Sequence, residues 1–251
     1  MRAITFDFYN TLVYHRAGIG RGQQYQDYLT GAGLTFDPWE HQVLYDVFEY
    51  YAAFYRPALS EQAKQHFWIE FTRRLFERTN VRPREAIEYA QHAPAIRDLM
   101  GPNAFAVFDE ALPVLRGLKE KGLRLGVVSD WQKGLGHFCE ELGLAAYLDV
   151  VVASGEVGWQ KPDPRLLETA RKRMNIPANE ILHVGDSLTD IEGARAAGFA
   201  AALLVREGEP AMKEVPVIRN LRDLLSLVSI GSIRGDVLGV EQPQLKHPMR
   251  G

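Results

Sequence analysis

The run Leu123-Arg-Leu-Gly-Val-Val-Ser129-Asp130 is a short apolar segment that stops abruptly at two polar side chains. Two other runs have the same form, Ala3-Ile-Thr-Phe-Asp7 and Ile181-Leu-His-Val-Gly-Asp186. Short apolar runs with sharp ends are typical of strands buried on both faces of a parallel sheet. Tyr147-Leu-Asp-Val-Val-Val-Ala153 and Phe199-Ala-Ala-Ala-Leu-Leu-Val205 also have a suitable length. The sequence therefore predicts five buried strands.

Helical patterns separate most of these strands, and glycine follows three of the four helices as a C-cap signal. The predicted helices cover 111–121, 134–142, 164–174 and 189–197. This alternation over 104–228 predicts an α/β fold with a Rossmann-like parallel sheet core and helices on both faces. Ligands of such sheets bind at the carboxyl ends of the strands, where Asp7, Ser129 and Asp186 fall.

A different kind of sequence, 14–103, interrupts the alternation after the first strand. It contains no strand-like run and has long helical periodicity, so we expect an inserted α-helical domain there. Its helices are predicted to begin at Asp37-Pro38, Ser60-Glu and Pro83-Arg-Glu. The core domain would then comprise 1–13 and 104–230, and 231–251 would form a polar C-terminal tail. Glycines at 18, 20 and 22 and Pro102 predict hinges at the two linkers of the insert.

The composition excludes several classes of protein. The 251 residues carry a formal net charge of -3 with scattered basic side chains, so nucleic acid is not an expected partner. A single cysteine, Cys139, cannot form an internal disulfide. The longest stretch without charged or hydrogen-bonding side chains, 196–205, has ten residues, whereas a membrane span needs about 18. We expect a cytoplasmic protein without a membrane partner, either a monomer or a homodimer.

Four short motifs occur together in one order along the chain. They are Asp7-Phe-Tyr-Asn-Thr11-Leu12, Ser129, Lys161-Pro162-Asp-Pro164, and Gly185-Asp186-Ser-Leu-Thr-Asp190. The set resembles the motifs of the haloacid dehalogenase-like superfamily of aspartate-nucleophile hydrolases, and the phosphatase-type members in particular. The inserted helices match the position of the helical cap that many members carry after the first motif.

The resemblance implies a role for each motif residue. Asp7 would be the nucleophile and would form an aspartyl-phosphate. Asp7, the backbone carbonyl of Tyr9 and Asp186 would hold Mg²⁺, and Asp190 would support the metal or brace Lys161. Ser129 and Lys161 would be catalytic residues that stabilise the transferring phosphoryl group. Thr11 and Asp130 are candidate substrate-binding residues, and Thr11 would also orient the first loop. The substrate would be a small phosphorylated metabolite.

Tyr9 departs from the family's phosphatase pattern, in which the residue two after the nucleophile is a second aspartate that serves as acid and base. Phenols ionise near pH 10, so a tyrosine can donate a proton but is a poor base at neutral pH. The metal ligand at this position is a backbone carbonyl, which any residue supplies. We therefore expect the binding of Mg²⁺ to persist while turnover is slow.

Two alternatives stay open at the level of sequence. Tyrosine at this position is also found in the family's metal-independent 2-haloacid dehalogenases, but these lack an aspartate matching Asp186 and have tyrosine where this chain has Leu167. A catalytically degenerate member that binds a phosphorylated ligand or a protein is the second alternative. Arg56, beside Tyr55 and Pro57, is the candidate contact from the helical insert to an anionic substrate.

Overall fold

The computed structural model describes residues 1–18, 20–39, 42–83, 87–212 and 214–229. Its main sheet has six parallel strands: β1 (Ala3–Phe6), β4 (Arg124–Ser129), β5 (Val150–Ala153), β6 (Ile181–Gly185), β7 (Ala200–Leu204) and β8 (Val217–Ile218). They lie side by side in the order β5-β4-β1-β6-β7-β8. A separate antiparallel pair consists of β2 (Val13–His15) and β3 (Phe105–Val107). All five predicted sheet strands are present, whereas β2, β3 and β8 were not predicted.

The central position of β1 brings the motifs together. Phe6 is in register with Val127 of β4 on one side and with Val184 of β6 on the other. Asp7, the next residue, donates its backbone N–H to the Val184 carbonyl at 2.8 Å. The carboxyl end of β1 therefore lies between the end of β4 and the end of β6. We call this side of the sheet the carboxyl edge.

Helices cover both faces of the sheet, as the sequence predicted. Successive residues of a strand point to opposite faces, so Ile4 and Phe6 join one apolar cluster and Ala3 joins another. The first cluster includes residues of α5 (Ala111–Glu120), α6 (Leu135–Glu141) and α10 (Asp223–Ser229). The second includes residues of α8 (Pro164–Met174) and α9 (Leu188–Ala196), while α7 (Ser154–Val157) is a short turn after β5. The result is a three-layer α/β core.

Between β2 and β3 the described residues form four α-helices: α1 (Arg21–Gly31), α2 (Gln42–Phe54), α3 (Glu61–Arg78) and α4 (Tyr89–Met100). The predicted start at Ser60 is confirmed, since its hydroxyl accepts the Ala63 N–H at the beginning of α3. Aromatic side chains fill the space between the helices, with Phe48, Tyr51 and Phe71 wholly buried. The pairing of β2 with β3 joins the two linkers of the insert. That the helices move as a separate cap about these linkers stays a prediction.

Other details of the insert differ from the prediction. Asp37-Pro38 does not begin a helix, because the Asp37 carboxylate accepts hydrogen bonds from Asn80 at 2.6 Å and from Arg82 at 2.7 Å. Residues 84–86 lie outside the described part of the chain, and the described helix that follows begins at Tyr89 rather than at Pro83. The predicted tail, 231–251, also lies outside the described residues. Within those residues, no helix combines the length and the apolar character that crossing a bilayer requires.

Candidate active site

The Lys161 ammonium occupies the centre of the carboxyl edge. Its Nζ donates to Asp7 Oδ1 at 2.5 Å, to Asp190 Oδ1 at 2.5 Å and to the Val128 carbonyl at 3.3 Å. The side chain is 3% exposed, and the carboxylates of Asp7 and Asp190 are 10% and 1% exposed. Burial alone would lower the pKa of Lys161, but the two carboxylates hold it above its usual range. Lys161 is therefore a fixed positive charge between two aspartates.

Asp190 is held on all sides by hydrogen bonds. Besides Lys161, its Oδ1 lies 3.3 Å from His183 Nε2, while Oδ2 accepts from the backbone and the hydroxyl of Ser187. Ser187 in turn caps the first turn of α9, which makes a reciprocal capping box. Burial would raise the pKa of Asp190, but the bonds from His183 and Lys161 keep it below its usual range. Two roles were considered for Asp190, support of the metal and bracing of Lys161. This geometry supports the second.

A third carboxylate, Asp186, completes the cluster at the end of β6. Its Oδ1 accepts the Thr11 hydroxyl at 3.2 Å, which ties the loop after the nucleophile position to the loop after β6. Oxygen atoms of Asp7, Asp186 and Asp190 all lie within 4.8 Å of one another. Burial, and then Asp190, raise the pKa of Asp186 above its usual range.

The charges of this cluster fit a divalent cation. Asp7 and Asp190 contact the Lys161 ammonium, and an oxygen of Asp186 lies within 4.8 Å of both carboxylates, so three carboxylates face a single ammonium and the cluster has an excess of negative charge. Burial is also the main cause that raises the pKa of Asp7 to about 6, against the lowering effect of Lys161. Carboxylate oxygens are the ligands that Mg²⁺ prefers. Asp7 and Asp186 would hold it, together with the backbone carbonyl of Tyr9 that the resemblance implies.

The other predicted site residues of the core lie at the end of a neighbouring strand or in the loops that follow the strands. Ser129 ends β4 directly after Val128, whose carbonyl Lys161 contacts, and is 2% exposed. Asp130 accepts the backbone N–H of Lys161 at 3.0 Å, so it fixes the loop that carries the lysine. The ring of Tyr9 meets Phe105 of β3 edge-on, with 6.3 Å between the ring centroids. Tyr9 therefore packs against a linker of the helical insert.

Arg56 is not brought to the carboxylate cluster. Its guanidinium donates to the carbonyl of Ala52 in the last turn of α2 and to that of Tyr55 just beyond the helix, and it lies 3.3 Å from His137 Nε2. None of its described contacts is with Asp7 or Lys161. The guanidinium thus binds carbonyl groups at the C-terminal end of α2. Contact of Arg56 with a substrate stays a prediction.

Two residues that contact the site were not predicted from the sequence to have a role in it. His183 is wholly buried, as expected of a core histidine, but it also contacts Asp190 and lies 2.9 Å from the Thr5 hydroxyl. Arg206 follows β7 and donates to the carbonyls of Asn10 and Thr11 in the loop after Asp7. Its place directly after a predicted strand, at the same edge as Asp7, is the signal that could have identified it.

These motifs, their order and their convergence at one sheet edge define a class of protein. A family model described as haloacid dehalogenase-like hydrolase matches residues 1–198. The chain belongs to this family. The resemblance inferred from the motifs is confirmed.

Curated relatives carry both general and specific names. The haloacid dehalogenase-like hydrolase domain-containing protein 3 of Bos taurus is 32% identical over 152 residues, or 59% of this chain and 60% of the relative. A glyceraldehyde 3-phosphate phosphatase of Methanothermobacter thermautotrophicus is 37% identical over 134 residues, or 51% of this chain and 57% of the relative. A phosphoglycolate phosphatase of Pseudomonas aeruginosa is 32% identical over 125 residues, 47% and 46% of the two chains. The matches to these three relatives span about half to six tenths of each relative.

Solved structures agree with the fold. A phosphatase of this superfamily from Thermococcus onnurineus is 22% identical with a TM-score of 0.58, and the match covers 91% of this chain and 98% of that chain. A 2-haloacid dehalogenase from Pseudomonas syringae is also 22% identical, with a TM-score of 0.59 over 92% of this chain and 100% of that chain. At this identity the likeness concerns the fold alone.

Replacing Lys161 tests the charge balance of the site. Lys161→Met leaves Asp190 and Asp7 buried without their counter-charge, so the free energy of unfolding should fall by about 3 kcal/mol or more. Urea denaturation at pH 7 with EDTA measures this loss. Lys119→Met, which breaks the partly exposed pair with Asp149, is the matched control and should cost less than about 1 kcal/mol. Equal losses in the two variants would contradict the central position of Lys161.

Proposed function

We propose that the protein hydrolyses small phosphate monoesters with Mg²⁺, through an aspartyl-phosphate formed on Asp7. The observation that carries the proposal is the placement of Asp7 at the end of the central strand, bonded to Lys161 and within reach of Asp186. Relatives named as phosphatases support the same class of reaction. The substrate is a small phosphorylated metabolite, and the protein works in the cytoplasm as a monomer or a homodimer.

The reaction has two displacements at phosphorus. Lys161 holds Oδ1 of Asp7, so the other oxygen, Oδ2, would be the one that attacks phosphorus. Attack by the Asp7 carboxylate forms the aspartyl-phosphate as the bond from phosphorus to the ester oxygen breaks, and the leaving alkoxide takes up a proton. Water then attacks phosphorus, which releases inorganic phosphate and restores Asp7. The charge on the transferring group needs fixed cations and donors throughout.

Residues of this chain supply much of that stabilisation. Lys161 neutralises one negative charge, and the Ser129 hydroxyl at the end of β4 would donate to a phosphoryl oxygen. Bound Mg²⁺, held by Asp7, Asp186 and the Tyr9 carbonyl, would offset the charge on the other phosphoryl oxygens. Asp190 keeps Lys161 in place through its own network, and Thr11 keeps Asp186 in place.

Tyr9 is the residue that limits the rate of the proposed reaction. It offers no carboxylate to protonate the leaving group or to activate water, and a positioned group of that kind contributes about 10² to 10⁴-fold in rate. The tyrosine ring instead packs on Phe105. The proposed enzyme is therefore slow, especially in the second step.

Dehalogenation of 2-haloacids is the second candidate, and Tyr9 is the observation that favours it. The carboxylate cluster weighs against it, because Asp186 beside Asp7 repels both a halide and a substrate carboxylate. Leu167, at the position where those enzymes have a tyrosine, is a residue of α8 that is wholly buried in the second apolar cluster. Phosphate release therefore has the stronger support.

Asp7→Asn should abolish phosphate release from an aryl phosphate, since the amide is a poor nucleophile. EDTA should abolish it in the wild-type protein, and Mg²⁺ should restore it. Asp149→Asn, the same change on the opposite side of the sheet, is the control and should keep wild-type turnover. Release that survives Asp7→Asn or EDTA would contradict the proposal, and halide release in EDTA from a 2-haloacid would favour the second candidate.

Tyr9→Asp should raise steady-state hydrolysis about tenfold or more, because it adds the missing acid and base beside Asp7. In the wild-type protein an aryl phosphate has a good leaving group, so a burst of phenol equal to the enzyme concentration should precede slow turnover. Stopped-flow absorbance measures both quantities.

Tyr9→Phe is the matched control, since it keeps the ring against Phe105 and removes only the hydroxyl. Its rate should stay close to the wild-type rate. A fall in rate for a folded Tyr9→Asp, or a large fall for Tyr9→Phe, would mean that the tyrosine hydroxyl itself takes part in the reaction.

A further inference from the structure

One arginine joins three separate parts of the carboxyl edge. Arg206, two residues beyond β7, donates from Nη2 to the Thr11 carbonyl at 2.9 Å and from Nε to the Asn10 carbonyl at 3.3 Å. Its Nη1 lies 2.5 Å from Glu110 Oε1, and the guanidinium lies 3.4 Å from the centroid of the Phe108 ring. The loop after Asp7, the segment after β3 and the end of β7 therefore meet on one side chain.

This contact set is mostly withdrawn from solvent. The side chains of Arg206 and Glu110 are 23% and 7% exposed. A planar guanidinium can bond two carbonyls and a carboxylate while its face stacks on an aromatic ring. A lysine ammonium also has three donors, but it has no planar face to stack on the ring. The Arg206 position thus uses the particular geometry of arginine.

The loop that Arg206 holds is a tight turn. Asn10 has a left-handed backbone conformation with φ of 57°, and its N–H donates to the Val13 carbonyl at 2.7 Å. The Phe8 carbonyl accepts the N–H groups of Leu12 and Val13. The carbonyls of Asn10 and Thr11 take no part in these internal bonds and are the two that Arg206 binds. Arg206 therefore completes the hydrogen bonding of the turn from outside.

The turn is connected directly to the candidate metal ligands. Thr11 donates its hydroxyl to Asp186, and the Tyr9 carbonyl immediately precedes Asn10 in the chain. Arg206, Asn10 and Asp186 also line one cleft of about 560 Å³. Any shift of the turn would consequently move the Tyr9 carbonyl and Asp186 relative to each other.

We propose that Arg206 is a positioning residue that sets the turn after Asp7, so that the Tyr9 carbonyl and Asp186 are presented together to Mg²⁺. This inference rests on the proposed function, since it assumes the same Mg²⁺ site. Removing the guanidinium weakens Mg²⁺ binding and lowers kcat. It leaves the Michaelis constant for the phosphate ester much less affected, because Lys161 and Ser129, which would bind the phosphate, are not among the described hydrogen-bond partners of Arg206.

Titration calorimetry of Mg²⁺ into the EDTA-treated full chain tests the proposal apart from activity. Arg206→Gln should raise the Mg²⁺ dissociation constant about tenfold, the lower end of what losing a supporting residue of a metal site costs, with a similar fall in kcat. Arg219→Gln is the matched control. Arg219 bonds the carbonyls of Gly208 and Val205 nearby but does not contact the turn, so its loss should leave Mg²⁺ binding unchanged.

Arg206→Lys keeps the ion pair with Glu110 and carries the test if Arg206→Gln does not fold. It should unfold close to the wild-type temperature and still bind Mg²⁺ more weakly. Unchanged Mg²⁺ affinity in folded Arg206 variants, or an equal loss in Arg219→Gln, overturns the inference and leaves the proposed function standing. A wild-type chain that binds no Mg²⁺ overturns the proposed function, and this inference with it.

Discussion

A buried ammonium between two buried carboxylates is the interaction on which the rest of the site depends. Lys161 contacts Asp7 and Asp190 at equal distance, and each of the three side chains would be costly to bury alone. Together they are stable only where the chain brings three of its segments to one point: the loop after β1, the loop that carries Lys161 and the first turn of α9. The parallel sheet provides that point, because β1 lies between β4 and β6 and all three end on the same side. The strand order that defines the fold is therefore also what brings the charged side chains of the site together.

Neighbouring residues hold the charged side chains of the site in place by hydrogen bonds. Ser187 holds Asp190 and starts α9, Asp130 holds the backbone of Lys161, and Thr11 holds Asp186. Each of these bonds joins a loop at the carboxyl edge to a neighbouring residue of the site, so the carboxylates are fixed before any ligand arrives. Fixed charges need no reorganisation during a reaction, which is the main advantage of such a site over water. The excess negative charge that remains is what a divalent cation would balance.

The sequence predicted those features that depend on local patterns. The apolar runs ending at Asp7, Ser129 and Asp186 are strands at the expected places, and 164–174 is a helix with the expected bounds. The order of the motifs along the chain was enough to indicate the family. The Asp37-Pro38 prediction was wrong because a local capping signal lost to tertiary hydrogen bonds from Asn80 and Arg82, residues more than forty positions away. Arg206 was missed for a related reason: its partners, Asn10 and Glu110, are near it only in the folded chain.

The most direct test of the proposed chemistry is whether the side chain of residue 7 is phosphorylated during turnover. The wild-type protein would be mixed with Mg²⁺ and an aryl phosphate, quenched in acid, reduced with borohydride and digested for tandem mass spectrometry. An aspartyl-phosphate is reduced to homoserine, so we expect homoserine at position 7 in a fraction of the chains that matches the burst of phenol. Residue 7 recovered only as aspartate while phosphate is released, or homoserine at another aspartate, would contradict the assignment of Asp7 as the nucleophile.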